Sequence, residues 1–321
     1  MCTYNGARHL SEQLDSIAAQ TRQPDELVIC DDGSTDKTRA IIADFAASVI
    51  FPVHLQTNER NLGSTKNFER AISLCSGDYI ALSDQDDVWL PVKLAQLENE
   101  FARAADIGLI FTDAEVIDDE GRPTGFTLWE RLPVRPAERQ RLQSRKAIDQ
   151  LLEGATVTGA TMAVRGRFKE LILPIPTDLQ IIHDAWIAML VAAVSEVLPL
   201  ASPLLRYRQH ANQQVGAKER KLEEGSVKES LLRTTSYQEM IKIGMQVQER
   251  LWQHRDDFKS DVALIRLTSR LSHLRMRAKL PDHPLRRFTS VAREVLSGRY
   301  HVYSKGLRSA AKDLLNKSRQ N

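Results

Sequence analysis

Cysteine is scarce and poorly spaced for chemistry. The 321-residue chain has three, Cys2, Cys30 and Cys75. With an odd number and no Cys-x-x-Cys pair, a disulfide scaffold and a structural zinc site are not expected. Cys30 and Cys75 lie among apolar or small neighbours and read as core. Long hydrophobic runs are also missing. None approaches the roughly 18 residues of a membrane-spanning helix, and no signal-peptide pattern is visible, so a reduced, cytosolic protein is expected. Charge of one sign is not in excess. Lysine and arginine total 44 against 42 aspartates and glutamates, a formal net charge of +2, which is too small to imply nucleic acid. No internal repeat or low-complexity linker is found. No G-x-G-x-x-G follows an early strand, which argues against a dinucleotide-binding dehydrogenase. With 42% hydrophobic and 27% charged residues, the composition is globular. The length suits one large domain or a domain with an appendage.

What is present is an alternation of helical and extended patterns. Leu10, Leu14, Ile17 and Ala18 fall at helical spacing. Leu27-Val28-Ile29-Cys30 is a short apolar run ending at Asp31-Asp32-Gly33, the pattern of a buried parallel strand. Ser34, Thr35 and Asp36 then supply helix-capping chemistry, and Ile41, Ile42 and Phe45 follow on one face. Residues 53–57, 78–83 and 107–112 read as strands, and 67–74 and 91–104 as helices. This predicts an α/β fold with a mostly parallel sheet covered by helices. Ligands of such sheets bind at the carboxyl ends of strands, where Asp31, Asp32, Asp84, Asp86 and Asp87 all fall. Further along, a turn is expected at Asp118-Asp119-Glu120-Gly121 and a strand at 161–164. An apolar helix is expected to begin near Asp184 and run through Trp186, Ile187, Leu190 and Val191. From about Lys218 the pattern is helical and basic. Cys2-Thr3-Tyr4-Asn5-Gly6 reads as the loop between a first strand and a first helix, with that first strand absent from the chain.

The stretch Leu82-Ser83-Asp84-Gln85-Asp86-Asp87-Val88-Trp89 carries the strongest chemical signal. Neighbouring carboxylates repel and raise one another's pKa, so a cation is expected among them. A hard cation such as Mg²⁺ prefers one or two carboxylates plus substrate phosphate oxygens. The plainer reading is a polar strand-to-helix loop, with Pro91 in the first turn of the helix that follows.

Taken together, Thr3-Tyr4-Asn5-Gly6, then Leu27 through Asp36, then Asn58-Glu59-Arg60-Asn61-Leu62-Gly63 with Asn67, and finally Asp84-Gln85-Asp86-Asp87 form a series. In this order and spacing it resembles the family 2 glycosyltransferases of GT-A fold, over roughly residues 1–215. Tyr207-Arg208-Gln209-His210-Ala211-Asn212 and Ser297-Gly298-Arg299-Tyr300-His301-Val302-Tyr303 are similar to bacterial rhamnosyltransferases of surface-polysaccharide assembly. The resemblance implies a Rossmann-like nucleotide-diphospho-sugar transferase domain over residues 1–217. About 1–112 would bind the nucleotide-sugar and about 113–217 would face the acceptor. Residues 218–321 would form a helical, basic C-terminal extension.

The resemblance also implies roles. Asp84 and Asp86 match the family's DxD motif, with Asp86 the first choice as ligand of a divalent metal, Mg²⁺ or Mn²⁺. Asp87 binds the metal or a sugar hydroxyl, or else is a carboxylate at a helix N-terminus. Thr3, Tyr4 and Asp31 or Asp32 contact the nucleotide, one of the two Asp residues alternatively capping the next helix. Asn61 and Asn67 are weaker candidates, since Asn-Leu-Gly also suits a turn. His183-Asp184-Ala185-Trp186 matches the acidic position near the acceptor, making Asp184 the catalytic base, a helix cap, or both. His183 stands where an acidic neighbour is common and has no assigned role. His210 is a metal or diphosphate ligand, or a surface histidine. Residues 159–161 form part of the acceptor floor, or a tight loop that needs glycine.

The expected activity is inverting, metal-dependent transfer of a sugar from dTDP-L-rhamnose or a UDP-sugar to a saccharide or lipid-linked acceptor. The basic tail, with Leu285, Phe288, Val291, Val295 and Leu296, has two readings: contact with anionic lipid, or a helical hairpin packed on the catalytic domain or a second subunit. A non-enzymatic alternative follows from the absent first strand, namely a silent binding or scaffold subunit. Asp84-Gln85-Asp86-Asp87-Val88 also fits the nucleophile motif of haloacid-dehalogenase-type phosphatases. There the motif follows the first strand, whereas here three strand–helix pairs precede it.

Overall fold

The computed structural model describes residues 1–131, 147–152, 157–210 and 236–315. The chain builds two sheets side by side. In the first, β1 (Cys2–Thr3), β2 (Leu27–Asp31) and β3 (Val53–Thr57) run parallel in that order. Every residue of β2 is buried, as its unbroken apolar run predicts for a strand covered on both faces. The expected absence of a first strand is corrected here. Cys2 and Thr3 are themselves strand, in register with Cys30 and Asp31. Two residues are too few to show any periodicity, and only pairing with β2 reveals them.

The helices between these strands follow their patterns. They are α1 (Leu10–Ala18), α2 (Thr38–Ser48) and α3 (Ser64–Leu74). Leu10, Leu14 and Ile17 are buried on one face of α1.

The second sheet contains β4 (Tyr79–Ala81), β5 (Val88–Trp89), β6 (Ile107–Ile117), β7 (Pro123–Thr127), β8 (Met162–Arg165) and β9 (Glu196–Arg208). Its order is β4-β8-β6-β9-β5, with β7 paired to β6. Here the expectation of parallel strands holds only for β6 and β9. The pairs β4–β8, β5–β9, β6–β7 and β6–β8 are antiparallel. Burial dictates apolar residues but not strand direction, so the apolar runs could not distinguish the two. The expected turn joins β6 to β7, with Gly121 at φ +81° donating its N–H to Asp118 O at 3.0 Å. The Cys2 N–H donates to Ser83 O at 3.3 Å, which ties the two sheets together along β1.

Helix α4 (Lys93–Arg103) covers one face of the second sheet. Short helices α5 (Leu128–Arg131), α6 (Ala147–Leu152) and α7 (Lys169–Ile172) follow. Helix α8 (His183–Val194) is apolar almost all round, and Trp186, Ile187, Leu190 and Val191 are fully buried, as befits a helix enclosed by the core.

The expected boundary at 217/218 lies outside the described residues. Beyond it, α9 (Tyr237–Gln253) and α10 (Asp261–Ala278) share the main core through Val247, Leu251 and Leu267. The Arg250 guanidinium bonds the carbonyls of Leu171, Leu173 and Pro174 at 2.6–3.1 Å. Helices α11 (Pro284–Leu296), α12 (Arg299–Tyr303) and α13 (Leu307–Leu315) form an outer layer on α10. Among the described residues, no helix is long and apolar enough to cross a membrane.

Candidate active site

The site forms where β1, β2 and β4 end. Its first wall consists of two loops joined by hydrogen bonds. Asn5, at φ +47°, donates its N–H to Ser34 Oγ at 2.8 Å and accepts the Thr35 N–H on Oδ1 at 2.9 Å. The Gly6 N–H reaches Thr38 Oγ1 at 2.8 Å. Asp31 is fully buried. Its carboxylate accepts the Thr3 hydroxyl at 2.8 Å and both the N–H and hydroxyl of Ser34, at 2.9 and 2.5 Å. Asp32 accepts the Asn58 amide and the Leu62 N–H at 2.8 Å each, and the Gly63 N–H at 2.9 Å. Asp36 bonds the Thr38 N–H at 2.9 Å at the start of α2. The side chain that bonds the first residue of α2 is therefore Asp36, and neither Asp31 nor Asp32 caps the helix.

Asn67 is buried, donating to Cys30 O and accepting from Asn58 at 2.8 and 2.9 Å. Arg70 completes this network by donating to Asn58 Oδ1 at 2.5 Å. Asn61 accepts the Gly63 N–H at 3.1 Å within its own exposed turn. Tyr4 is exposed.

The acidic loop docks onto this wall through Gln85. Its side-chain oxygen accepts the Tyr4 N–H at 2.8 Å, and its amide donates to Tyr4 O at 3.2 Å. Gly6 makes room for it: a Cβ there would lie 2.2 Å from Gln85 Oε1. From Gln85 the chain passes Asp86 and Asp87 into β5. The reading of Asp87 as a helix N-terminal carboxylate is thereby overturned, because a strand and a turn separate it from α4 at Lys93.

Asp87 is buried and accepts the Arg208 N–H at 3.0 Å on Oδ1, while Oδ2 has no hydrogen-bond partner. Burial, and then Asp86 and Asp84, push its carboxyl well above the usual range. Asp84 is held up to about 7 by burial first and then by Asp86 and Asp184. Like charges crowded in low dielectric give this result, and an added cation would relieve it.

Asp86 Oδ2 meets His210 Nε2 at 2.8 Å, so two of the proposed ligands do come together. No group of three or more His, Cys, Asp or Glu side chains is gathered for a metal among the described residues. A hard cation bound by one or two carboxylates and substrate phosphates needs no such cage. The donor set, with an unpartnered buried carboxylate oxygen beside it, fits a divalent cation.

Asp184 lies in the first turn of α8 and is 8% exposed. It accepts the Ala185 N–H at 2.7 Å and the Gly159 N–H at 3.1 Å. Burial raises it to about 6, against the opposing pull of these two N–H groups. Its neighbour His183 stacks on Phe68 with ring centroids 4.0 Å apart, and burial lowers it to about 4, so it is neutral. Gly159 is needed for close approach: a Cβ there would lie 3.1 Å from His183 Nε2 and 3.4 Å from Asp184 Cβ.

Residues that the sequence reading missed hold these groups in place. Arg208, at the end of β9, is buried. It donates to the carbonyls of Asp86 at 2.8 Å and Asp119 at 3.2 Å, and pairs with Glu12 at 2.5 Å. Lys93 is wholly buried, donating to Ala160 O at 2.9 Å and lying 4.1 Å from the Trp89 ring. Burial lowers it to about 7, opposed by Asp87 and Asp84. A lysine in a first helical turn reads as surface, so nothing in the sequence marked it.

These carboxylates gather where the strands of a GT-A-type fold end. S. aureus TarS in complex with UDP-GlcNAc has the same fold: TM-score 0.60 over 98% of this chain and 86% of that one, at 14% identity. The family model for glycosyl transferase family 2 matches residues 1–171, more than half of the sequence, and the chain belongs to that family. A dTDP-rhamnosyl transferase of Shigella flexneri, RfbG, is 31% identical over 233 residues, 68% of this chain and 74% of that protein. An uncharacterised protein of Mycobacterium tuberculosis is 36% identical over 124 residues, 37% of this chain. That match spans only 35% of the mycobacterial protein.

Proposed function

We propose that this glycosyltransferase catalyses inverting, metal-dependent transfer of a sugar from a nucleotide-sugar to a saccharide or lipid-linked saccharide, in bacterial surface-polysaccharide biosynthesis. The observation that carries this reading is the convergence of Asp84, Asp86 and Asp87 with Asp184, close enough for Asp86 and Asp184 to raise Asp84. Residues 1–112 bind the donor and residues 113–217 take the acceptor. Thr3, Tyr4 and the Asp31–Asp32 loop face the nucleotide. In that loop Asp31 and Asp32 fix the backbone against which the base lies.

Asp86, with Asp84 and His210, would hold the Mg²⁺ or Mn²⁺ ion. When bound, the ion supplies positive charge against the charge that develops on the departing diphosphate. Asp184, with a carboxyl raised to about 6, is ionised at neutral pH yet basic enough to accept the acceptor hydroxyl proton. As that proton moves to Asp184, the hydroxyl oxygen bonds to the anomeric carbon and the bond to the diphosphate oxygen breaks. The similarity to the dTDP-rhamnosyl transferase favours dTDP-β-L-rhamnose as donor, which inversion converts to an α-L-rhamnoside. UDP-sugars are the second class. The enzyme works on the inner face of the cytoplasmic membrane.

The test is nucleotide release from dTDP-rhamnose and a panel of UDP-sugars, with Mn²⁺ or Mg²⁺ and with EDTA. Release that needs metal, and that falls at least about 100-fold in Asp86→Ala, supports the reading. A folded protein that binds no nucleotide overturns it.

A further inference from the structure

The outer C-terminal layer buries charge as well as apolar surface. Helix α11 turns two charged side chains inward. Arg287, Val291 and Glu294 are buried, whereas Leu285, Phe288 and Leu296 are exposed, from 59% for Phe288 to 88% for Leu296. Helix α13 repeats the arrangement. Its Asp313 faces inward, bonded by Arg277 at 2.7 and 3.0 Å and by the Tyr300 hydroxyl at 2.8 Å, while Leu307, Leu314 and Leu315 are exposed. Inside the layer, His273 is buried and sits between Glu294 at 2.8 Å and Ser304 at 2.9 Å. A helix that rests only on its own protein places its apolar stripe inward. Here a small apolar cluster of Val291, Tyr300 and Ala310 and the polar network together hold the layer, and further apolar side chains of two adjacent helices face outward.

The charge on this surface is one-sided for the same reason. Residues 281–315 contain three carboxylates, Asp282, Glu294 and Asp313. The network uses Glu294 and Asp313, which leaves only Asp282 exposed, beside Arg287 at 3.6 Å. Arg286, Arg293, Lys305, Arg308 and Lys312 are all exposed.

We infer that the outward face of α11 and α13 is a docking surface for an anionic lipid bilayer. Leu285, Phe288 and Leu296 enter the boundary between headgroups and acyl chains, and the five cations sit at the phosphates. Bilayer contact rewards both properties of the face. Pairing with the same face of a second copy would bury the apolar stripes but set cation against cation. The inference refines the proposed function, placing the enzyme on the membrane where a lipid-linked acceptor would lie, and its test does not depend on turnover.

The full chain is sedimented with vesicles of phosphatidylcholine alone and of phosphatidylcholine with phosphatidylglycerol, at low and high salt. Nucleotide binding is measured on the same preparations. Binding is expected to the phosphatidylglycerol vesicles only, weakening with salt. Phe288→Ser/Leu296→Ser and Arg293→Glu/Arg308→Glu should each lower the partition coefficient about tenfold or more, with nucleotide binding unchanged. No binding to anionic vesicles by a protein that binds nucleotide overturns this inference and leaves the glycosyltransferase reading standing. Equal binding to both vesicle types overturns it as well. So does a concentration-dependent dimer that Phe288→Ser/Leu296→Ser abolishes, since that makes a second copy the occupant.

Discussion

Replacing Asp184 with asparagine should make the protein slower and, at neutral pH, more stable. In the fold the Asp184 carboxyl is raised from 3.8 to about 6 because it is buried. A displacement of that size corresponds to about 3 kcal/mol of destabilisation when the group is ionised. The sign follows from proton binding. Between the unfolded value near 3.8 and the folded value near 6 the native state holds more protons, so stability falls as pH rises through this window. Below it the penalty is absent, and above it the penalty is complete. Asparagine carries no charge and escapes the penalty. It still accepts one of the N–H groups of Ala185 and Gly159 but turns its amide toward the other, losing about 1 kcal/mol.

Asp184→Asn should therefore be about 1 kcal/mol less stable than the parent at pH 3.5 and about 2 kcal/mol more stable at pH 7.5. Urea denaturation in EDTA across that range measures the crossing. Over the same range, kcat/KM of the parent should rise through an apparent pKa near 6 as Asp184 ionises. The variant should lose that limb and about 10²–10⁴ of its rate. A stability difference that does not change with pH, or near-parental turnover by the variant, would refute the assignment.

Three further outcomes follow from the supporting residues. Arg208→Met leaves the carbonyls of Asp86 and Asp119 and the Glu12 carboxylate without their guanidinium. It should cost about 3 kcal/mol or more, read as a lowered melting temperature, and weaken donor binding. Gly6→Ala places a methyl on Gln85 and should weaken nucleotide affinity at least about fivefold. Adding Gln85→Ala should recover part of the loss, as calorimetric titration of the double variant would reveal. Lys93 is lowered from 10.5 to about 7 by burial. Across that window the unfolded state binds more protons, so the parent gains stability as pH rises. Lys93→Met should abolish this slope in alkaline denaturation series.

The sequence by itself determined much of the fold. The apolar run of 27–30, the helical spacing of Leu10, Leu14 and Ile17, and the apolar length of the helix after Asp184 each demanded burial. Burial at a fixed period selects helix or strand. The motif series likewise located the acidic loop, and the order of Asp31-Asp32, Asp84-Gln85-Asp86-Asp87 and Asp184 marked a candidate site before any contact was visible. Only the tertiary structure decided how strands pair and which polar groups are held inward. Strand direction in the second sheet, and the strand character of Cys2 and Thr3, depend on partners distant in sequence. The outward turn of Leu285, Phe288 and Leu296 follows from the grip of Arg277, Tyr300 and His273 on Asp313 and Glu294. Lys93 and Arg208 are surface-type residues until the fold closes over them. Their burial beside Asp84, Asp86 and Asp87 is a property of packing, because it is set by which loops meet at one end of the sheets and no local pattern encodes that meeting.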